Sequence, residues 1–82
     1  MRNFTVYSKD GCPYCQQILQ VLGISELNYV EYKLGIDFTK EAFYGQFGEG
    51  ATFPQVVLNS ENLGGCKDSI KYMQKENICC NV

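Results

Sequence analysis

Histidine is absent from this 82-residue chain, which removes imidazole acid–base catalysis and every mixed Cys/His zinc site of the finger type. Long apolar runs are missing too: the longest aliphatic stretch is Val56-Val57-Leu58. The opening segment MRNFTVYSKD lacks the apolar core of roughly 7–15 residues that a secretory signal needs, so neither a signal peptide nor a transmembrane helix is expected. The expected compartment is cytoplasmic. Basic clusters are lacking as well. Seven Lys and Arg stand singly among nine acidic residues, for a net charge of -2, with no stripe to meet a phosphate backbone. Nucleic acid and membrane are therefore not expected partners. Nor is there a repeat, a low-complexity tract or a linker, so residues 1–82 read as a single domain with one small core. A composition 45% hydrophobic and 20% charged is that of an ordinary globular protein.

What the chain does have is cysteine. Five cysteines would suit a secreted disulfide scaffold, but the number is odd and no export signal precedes them. In a reducing compartment such thiols serve more often as reagents or metal ligands.

The pattern along the chain alternates strand and helix. Residues 4–8 (FTVYS) are β-branched and aromatic and predict a short, largely buried strand. Ile18, Leu19, Val21 and Leu22 recur at helical spacing behind Cys15, and Gly23 supplies a C-terminal stop. Residues 29–34 (YVEYKL) alternate with period two and predict a second strand. Asp37 or Thr39 caps a second helix running to about Phe47, with Phe38, Ala42, Phe43 and Phe47 inward. GEGATFP then breaks it. PQVVLN and SENLGG predict two strands joined by a polar turn, and KDSIKYMQKEN a last helix with Ile70 and Met73 inward. The fold class is α/β: order β-α-β, α, β-β, α, with the first two strands parallel and the last two antiparallel in one mixed four-stranded sheet flanked by helices.

This order places Cys12 at or just before the start of the first helix. Pro13 suits the first helical position, where its missing N–H would have lacked a partner anyway. The free N–H groups of that turn direct partial positive charge at the Cys12 sulfur and favour thiolate, the reactive form. Lys9, in the preceding loop, adds a full charge nearby. Cys15, one turn along, lies on the same face, and the small ring it closes with Cys12 gains little from loop closure, so the disulfide should be easily reduced. Two other readings compete. A structural zinc site would draw on Cys66, Cys79 and Cys80, but a ribbon-type site supplies its second C-x-x-C about 15–20 residues on, which this chain does not. Alternatively, Cys12 and Cys15 are small buried hydrophobes.

CPYC after a short strand, TFPQVVLN in mid-chain and GGCKDS before the last helix, in this order over nearly the whole chain, resemble a dithiol glutaredoxin of the thioredoxin superfamily. The resemblance implies a thioredoxin-like fold, an oxidoreductase acting on glutathione mixed disulfides and protein disulfides, glutathione as reductant, no metal, and a monomer. By the same resemblance Cys12 is the nucleophile and Cys15 the resolving thiol. Tyr14 walls the glutathione site. Thr52, Phe53 and Pro54 form the loop facing Cys12, with a cis peptide before Pro54, and the Phe53 backbone pairs with the glutathione cysteine as an added strand would. Gly64 and Gly65 allow close approach, so that the N–H groups of Cys66 and Lys67 bind the γ-glutamyl carboxylate at a helix start while Asp68 takes its ammonium.

Two positions depart from the family pattern. Phe53 stands where Val is usual, and its ring narrows the groove. Ala51 stands where many members carry Arg, which leaves the glycine carboxylate to Lys9 and Gln46. Of the remaining thiols, Cys66 reads either as a third thiol near the site or as a buried inert one. Cys79 and Cys80 belong to a terminal tail whose expected fate in air is intermolecular oxidation. Two alternative functions stay open: a redoxin reduced by thioredoxin reductase, and a dimeric carrier of an iron–sulfur cluster held through Cys12 and glutathione. Cys15 and Pro13 count against the second.

Overall fold

The computed structural model describes residues 3–25 and 27–76. In chain order the elements are β1 (Phe4–Ser8), α1 (Pro13–Ile24), β2 (Tyr29–Lys33), α2 (Lys40–Phe47), β3 (Gln55–Leu58), β4 (Glu61–Gly64) and α3 (Cys66–Lys75). The sheet runs β2-β1-β3-β4. β1 pairs parallel with β2, with Phe4 opposite Tyr29, and antiparallel with β3, with Phe4 opposite Leu58. β3 and β4 form an antiparallel hairpin with an irregularity between Val56 and Val57. This is the mixed four-stranded arrangement expected from the sequence.

The core lies between the sheet and the pair α1 and α3. Alternate residues of β1, Phe4 and Val6, point into it together with Val56 and Leu58 of β3. Ile18 and Leu22, one turn apart on α1, and Met73 of α3 close over them, all fully buried. Leu19, Val21, Leu27, Leu63, Ile70 and Tyr72 pack around this nucleus half-covered.

Several local expectations are corrected. α1 does not stop at Gly23 but runs to Ile24, because Ser25 completes the last turn by donating its N–H to Val21 O at 3.0 Å. Thr39 caps α2, accepting from Ala42 N at 3.2 Å. Asp37 instead turns back to accept from Lys33 N at 2.9 Å. Ala42 faces solvent and Phe43 alone of α2 is fully buried, since an eight-residue helix presents only one turn's worth of its face. α3 begins one residue early, at Cys66. β2 is a strand but lies at the edge of the sheet, and its Tyr29, Val30 and Tyr32 are each at least 40% exposed. Among the described residues no helix is long and apolar enough to cross a membrane.

Candidate functional site

Three chain-distant segments meet at one end of the sheet: the loop from β1 into α1, the loop before β3, and the turn from β4 into α3. The first is organised by Cys12, the N-cap of α1, whose backbone is extended (φ -109, ψ 104) and whose Sγ accepts from Cys15 N at 3.2 Å. Pro13 occupies the first helical position, so the turn is pre-shaped without a wasted donor. Both sulfurs are reduced and almost fully covered, Cys12 at 6% and Cys15 at 2% exposure. Their environments differ. Burial pushes the Cys15 thiol up to about 12, helped by its hydrogen bond to the Cys12 sulfur, while the Lys9 amide and ammonium pull the other way. Cys15 is therefore held protonated at neutral pH, hydrogen-bonded to Cys12.

The second segment joins Thr52 to Gln55. The Phe53–Pro54 peptide is cis, as the family resemblance implied. Gln55, nearly buried, donates its side-chain amide to Thr52 O at 2.9 Å and ties the loop across its own base. The Phe53 ring stacks on Phe43 with centroids 4.2 Å apart and planes 12° from parallel, and on Phe38 at 6.1 Å. Tyr7 and Phe47 complete the same aromatic cluster. Its bulk is thus taken up in packing against α2.

In the third segment Gly64 has φ +97 and Gly65 is the N-cap of α3 with no side-chain cap. The first N–H groups of this helix are therefore left for another acceptor. Ser69, fully buried, donates to Gly65 O at 2.6 Å and pins the turn. Cys66 is buried at 5% exposure, and its thiol is pushed up by burial and by negative charge on Cys12, with Lys67 acting oppositely.

Between these segments lies an open groove of about 260 Å³. Tyr14 forms one wall and Thr52, Phe53 and Pro54 the floor loop, while Gly65, Cys66, Lys67 and Asp68 supply the far end. Eight of the ten residues expected to meet glutathione thus line one cavity. Lys9 is not on its lining but places its ammonium 5.5 Å from the centroid of the Phe53 ring. Gln46 does not join: its side-chain amide donates to Tyr7 Oη at 3.4 Å. Asp10 is ion-paired with Lys33 at 3.2 Å. Among the described residues no group of three or more Cys, Asp or Glu side chains is arranged to hold a metal ion. Cys79 and Cys80 lie outside the described residues.

Residues 4–63 match the glutaredoxin family model. The chain belongs to the glutaredoxin family. It is 26% identical over 68 residues to glutaredoxin 3 of Escherichia coli, covering 83% of this chain and 82% of that one. It is 33% identical over 70 residues to the hybrid peroxiredoxin hyPrx5 of Haemophilus influenzae, where 85% of this glutaredoxin spans only 29% of the relative. Among solved structures, the crystal structure of the buckwheat glutaredoxin–glutathione complex superposes with a TM-score of 0.74 over 94% of this chain and 73% of that one, at 20% identity. Family and fold make this glutaredoxin a thiol–disulfide oxidoreductase of the thioredoxin superfamily.

Sequence reasoning missed the parts that hold the groove open: Gln55 on Thr52, Ser69 on Gly65 and the ring cluster under Phe53. Only the last had a signal, in the recurrence of phenylalanine at 38, 43, 47 and 53.

Proposed function

We propose that this glutaredoxin is a glutathione-dependent oxidoreductase that reduces glutathione mixed disulfides and protein disulfides, with Cys12 as nucleophile and Cys15 as resolving thiol. The observation that carries the reading is the groove, whose lining combines Tyr14, the Thr52–Pro54 loop and the uncapped start of α3 beside the Cys12 turn. An extended tripeptide with a carboxylate and an ammonium at one end fits that lining. The free N–H groups of Cys66 and Lys67 take the carboxylate, Asp68 takes the ammonium, and the backbone of Phe53 pairs with the central cysteine.

On a glutathionylated protein, Cys12 attacks the glutathione sulfur, a new S–S bond forms to glutathione and the protein thiol leaves. A second glutathione then attacks the glutathione sulfur of that mixed disulfide, forming glutathione disulfide and releasing the Cys12 thiolate. On a protein disulfide, Cys12 forms a mixed disulfide with one target sulfur and releases the other as thiol. Cys15, after losing its proton, attacks Cys12 and frees the target. The Cys12–Cys15 disulfide so formed is reduced by two glutathiones, themselves oxidised to the disulfide. The amide N–H of Cys15, 3.2 Å from Cys12 Sγ, stabilises the Cys12 thiolate as nucleophile and as leaving group.

The test is turnover of a small mixed disulfide with glutathione, glutathione reductase and NADPH. Robust turnover supports the reading. Turnover supported only by thioredoxin reductase, with glutathione inert, would replace it.

A further inference from the structure

The Phe53 side chain has surroundings that its backbone role does not explain. One ring face is filled by Phe43, 4.2 Å away and nearly parallel, and Phe43 is itself 1% exposed, so the ring is held in one orientation. The Lys9 ammonium stands over the same ring, 5.5 Å from its centroid. Lys9 is otherwise an exposed loop residue, whose four-carbon stem would spread its charge over many rotamers. Its sequence neighbour Asp10 does not neutralise it, being drawn toward β2 by Lys33 at 3.2 Å.

We infer that Phe53 is a positioning residue: its ring seats the Lys9 ammonium beside the Cys12–Cys15 turn and so gives the site a preference for anionic thiol partners. This rests on Cys12 being the reacting thiol, as proposed above. The charge is within reach of that turn, since the Lys9 ammonium pulls the Cys15 thiol downward, toward ionisation, against the upward effect of burial. The charged and titratable groups around the turn are Lys9 from its own loop, Tyr14 and Cys15 on α1, and Cys66, Lys67 and Asp68 at the start of α3. Of the two lysines, only Lys9 is seated on an aromatic ring. An aromatic face attracts a cation through its quadrupole, and an aliphatic side chain of similar volume does not. Phenylalanine before Pro54 thus adds an electrostatic function to a position otherwise used through its backbone.

The experiment compares alkylation of Cys12 by iodoacetate and by iodoacetamide in the reduced full chain at low ionic strength, read at that residue by peptide mass spectrometry. Both reagents consume the thiolate and lose iodide, so their rate ratio cancels changes in thiolate fraction and reports local positive charge. Phe53→Leu, which keeps bulk and removes the π face, should lower the iodoacetate-to-iodoacetamide ratio about two- to five-fold. Phe53→Tyr should retain it. Lys9→Gln should lower the ratio at least as much, and adding Phe53→Leu to it should change nothing further. In turnover, Phe53→Leu should raise KM for glutathione by a similar factor with kcat unchanged. An unchanged ratio in Phe53→Leu would overturn the inference, as would an equal fall when Lys9 is already Gln. Should the Leu variant not fold, Phe53→Met takes its place under the same criteria. Because the alkylation ratio involves no glutathione, a wild-type chain that shows no glutathione turnover counts against the proposed function and leaves this inference to be decided by the ratio.

Discussion

The two glycines between β4 and α3 should respond to the same mutation in different ways. Gly64 has φ +97, and a Cβ built on it would lie 3.0 Å from Asp68 Oδ2 and 3.3 Å from Asp68 Cβ. An L-residue in that left-handed region costs about 1–2 kcal/mol. Against this, replacing glycine by alanine restricts the unfolded chain and returns about 0.4–1 kcal/mol. Displacing the exposed Asp68 carboxylate adds little, so Gly64→Ala should destabilise by about 1 kcal/mol. Gly65 differs on both counts. Its φ of -82 and ψ of -168 suit any residue, and its Cβ would meet only Pro54 O, at 3.7 Å. The unfolded-chain gain there is offset by alanine's poor standing as an N-cap, so Gly65→Ala should fall within about 0.5 kcal/mol of wild type. With a urea slope of about 1 kcal/mol per M for a small domain, the midpoint should fall by about 1 M for Gly64→Ala and by less than half that for Gly65→Ala. Gly64→Ala should also raise KM for glutathione, because the new methyl group drives the Asp68 carboxylate from its place at the end of the groove. Equal midpoints for the two variants, or a Gly64→Ala protein as stable as wild type, would refute the reasoning.

Other outcomes follow from the site. Cys12→Ser should abolish turnover, whereas Cys15→Ser should keep deglutathionylation and lose reduction of protein disulfides; assays on a glutathionylated peptide and a protein disulfide separate the two. Because burial raises the Cys15 thiol to about 12, resolution of a Cys12 mixed disulfide should speed up about tenfold per pH unit through the neutral and mildly alkaline range, which stopped-flow release of the target thiol measures. The same shift sets a sign for stability: between the ordinary 9.0 and about 12 the unfolded chain loses the Cys15 proton and the folded chain keeps it, so the reduced protein should lose stability over that window. Urea midpoints should fall more steeply there for wild type than for Cys15→Ser. Asp68→Ala should weaken glutathione use by 0 to about 1 kcal/mol, as befits an exposed carboxylate, while alkylation of Cys12 by iodoacetamide barely changes. Titrating glutathione beside that alkylation assay checks both.

Much of this was legible in the sequence because the deciding signals are local. Cys12 before Pro13, the β-branched FTVYS and QVVL runs and the double glycine before Cys66 each fix their own turn or strand. Tyr14, the Thr52–Pro54 loop and residues 65–68 came to one groove because the element order leaves few ways to fold it. What could not be read was anything assembled across the sheet. The alternation of residues 29–34 marks a strand, yet it does not say that β2 is an exposed edge. Ala42 keeps helical spacing with Phe38, yet α2 starts only at Lys40, so Phe38 stands ahead of the helix and Ala42 is left exposed. The ring cluster draws Tyr7, Phe38, Phe43, Phe47 and Phe53 from four separate segments, so no window of sequence contains it, and the seating of Lys9 on Phe53 depends on it.

The groove's construction from residues 14, 52–54 and 65–68 has a consequence for how the protein opens. No one segment contains enough of the lining to bind a ligand alone, so the groove exists only while β1, β3 and β4 remain paired and α3 stays docked. A ligand in the groove therefore opposes every opening that parts these strands, by RT ln(1 + [L]/Kd). Amide hydrogen exchange should slow throughout the sheet's central strands and α3 when the groove is filled, with the protection set by ligand concentration, while the exposed edge β2 frays at its own rate. A shallow surface site thus acts as a clasp on the innermost strands of the molecule.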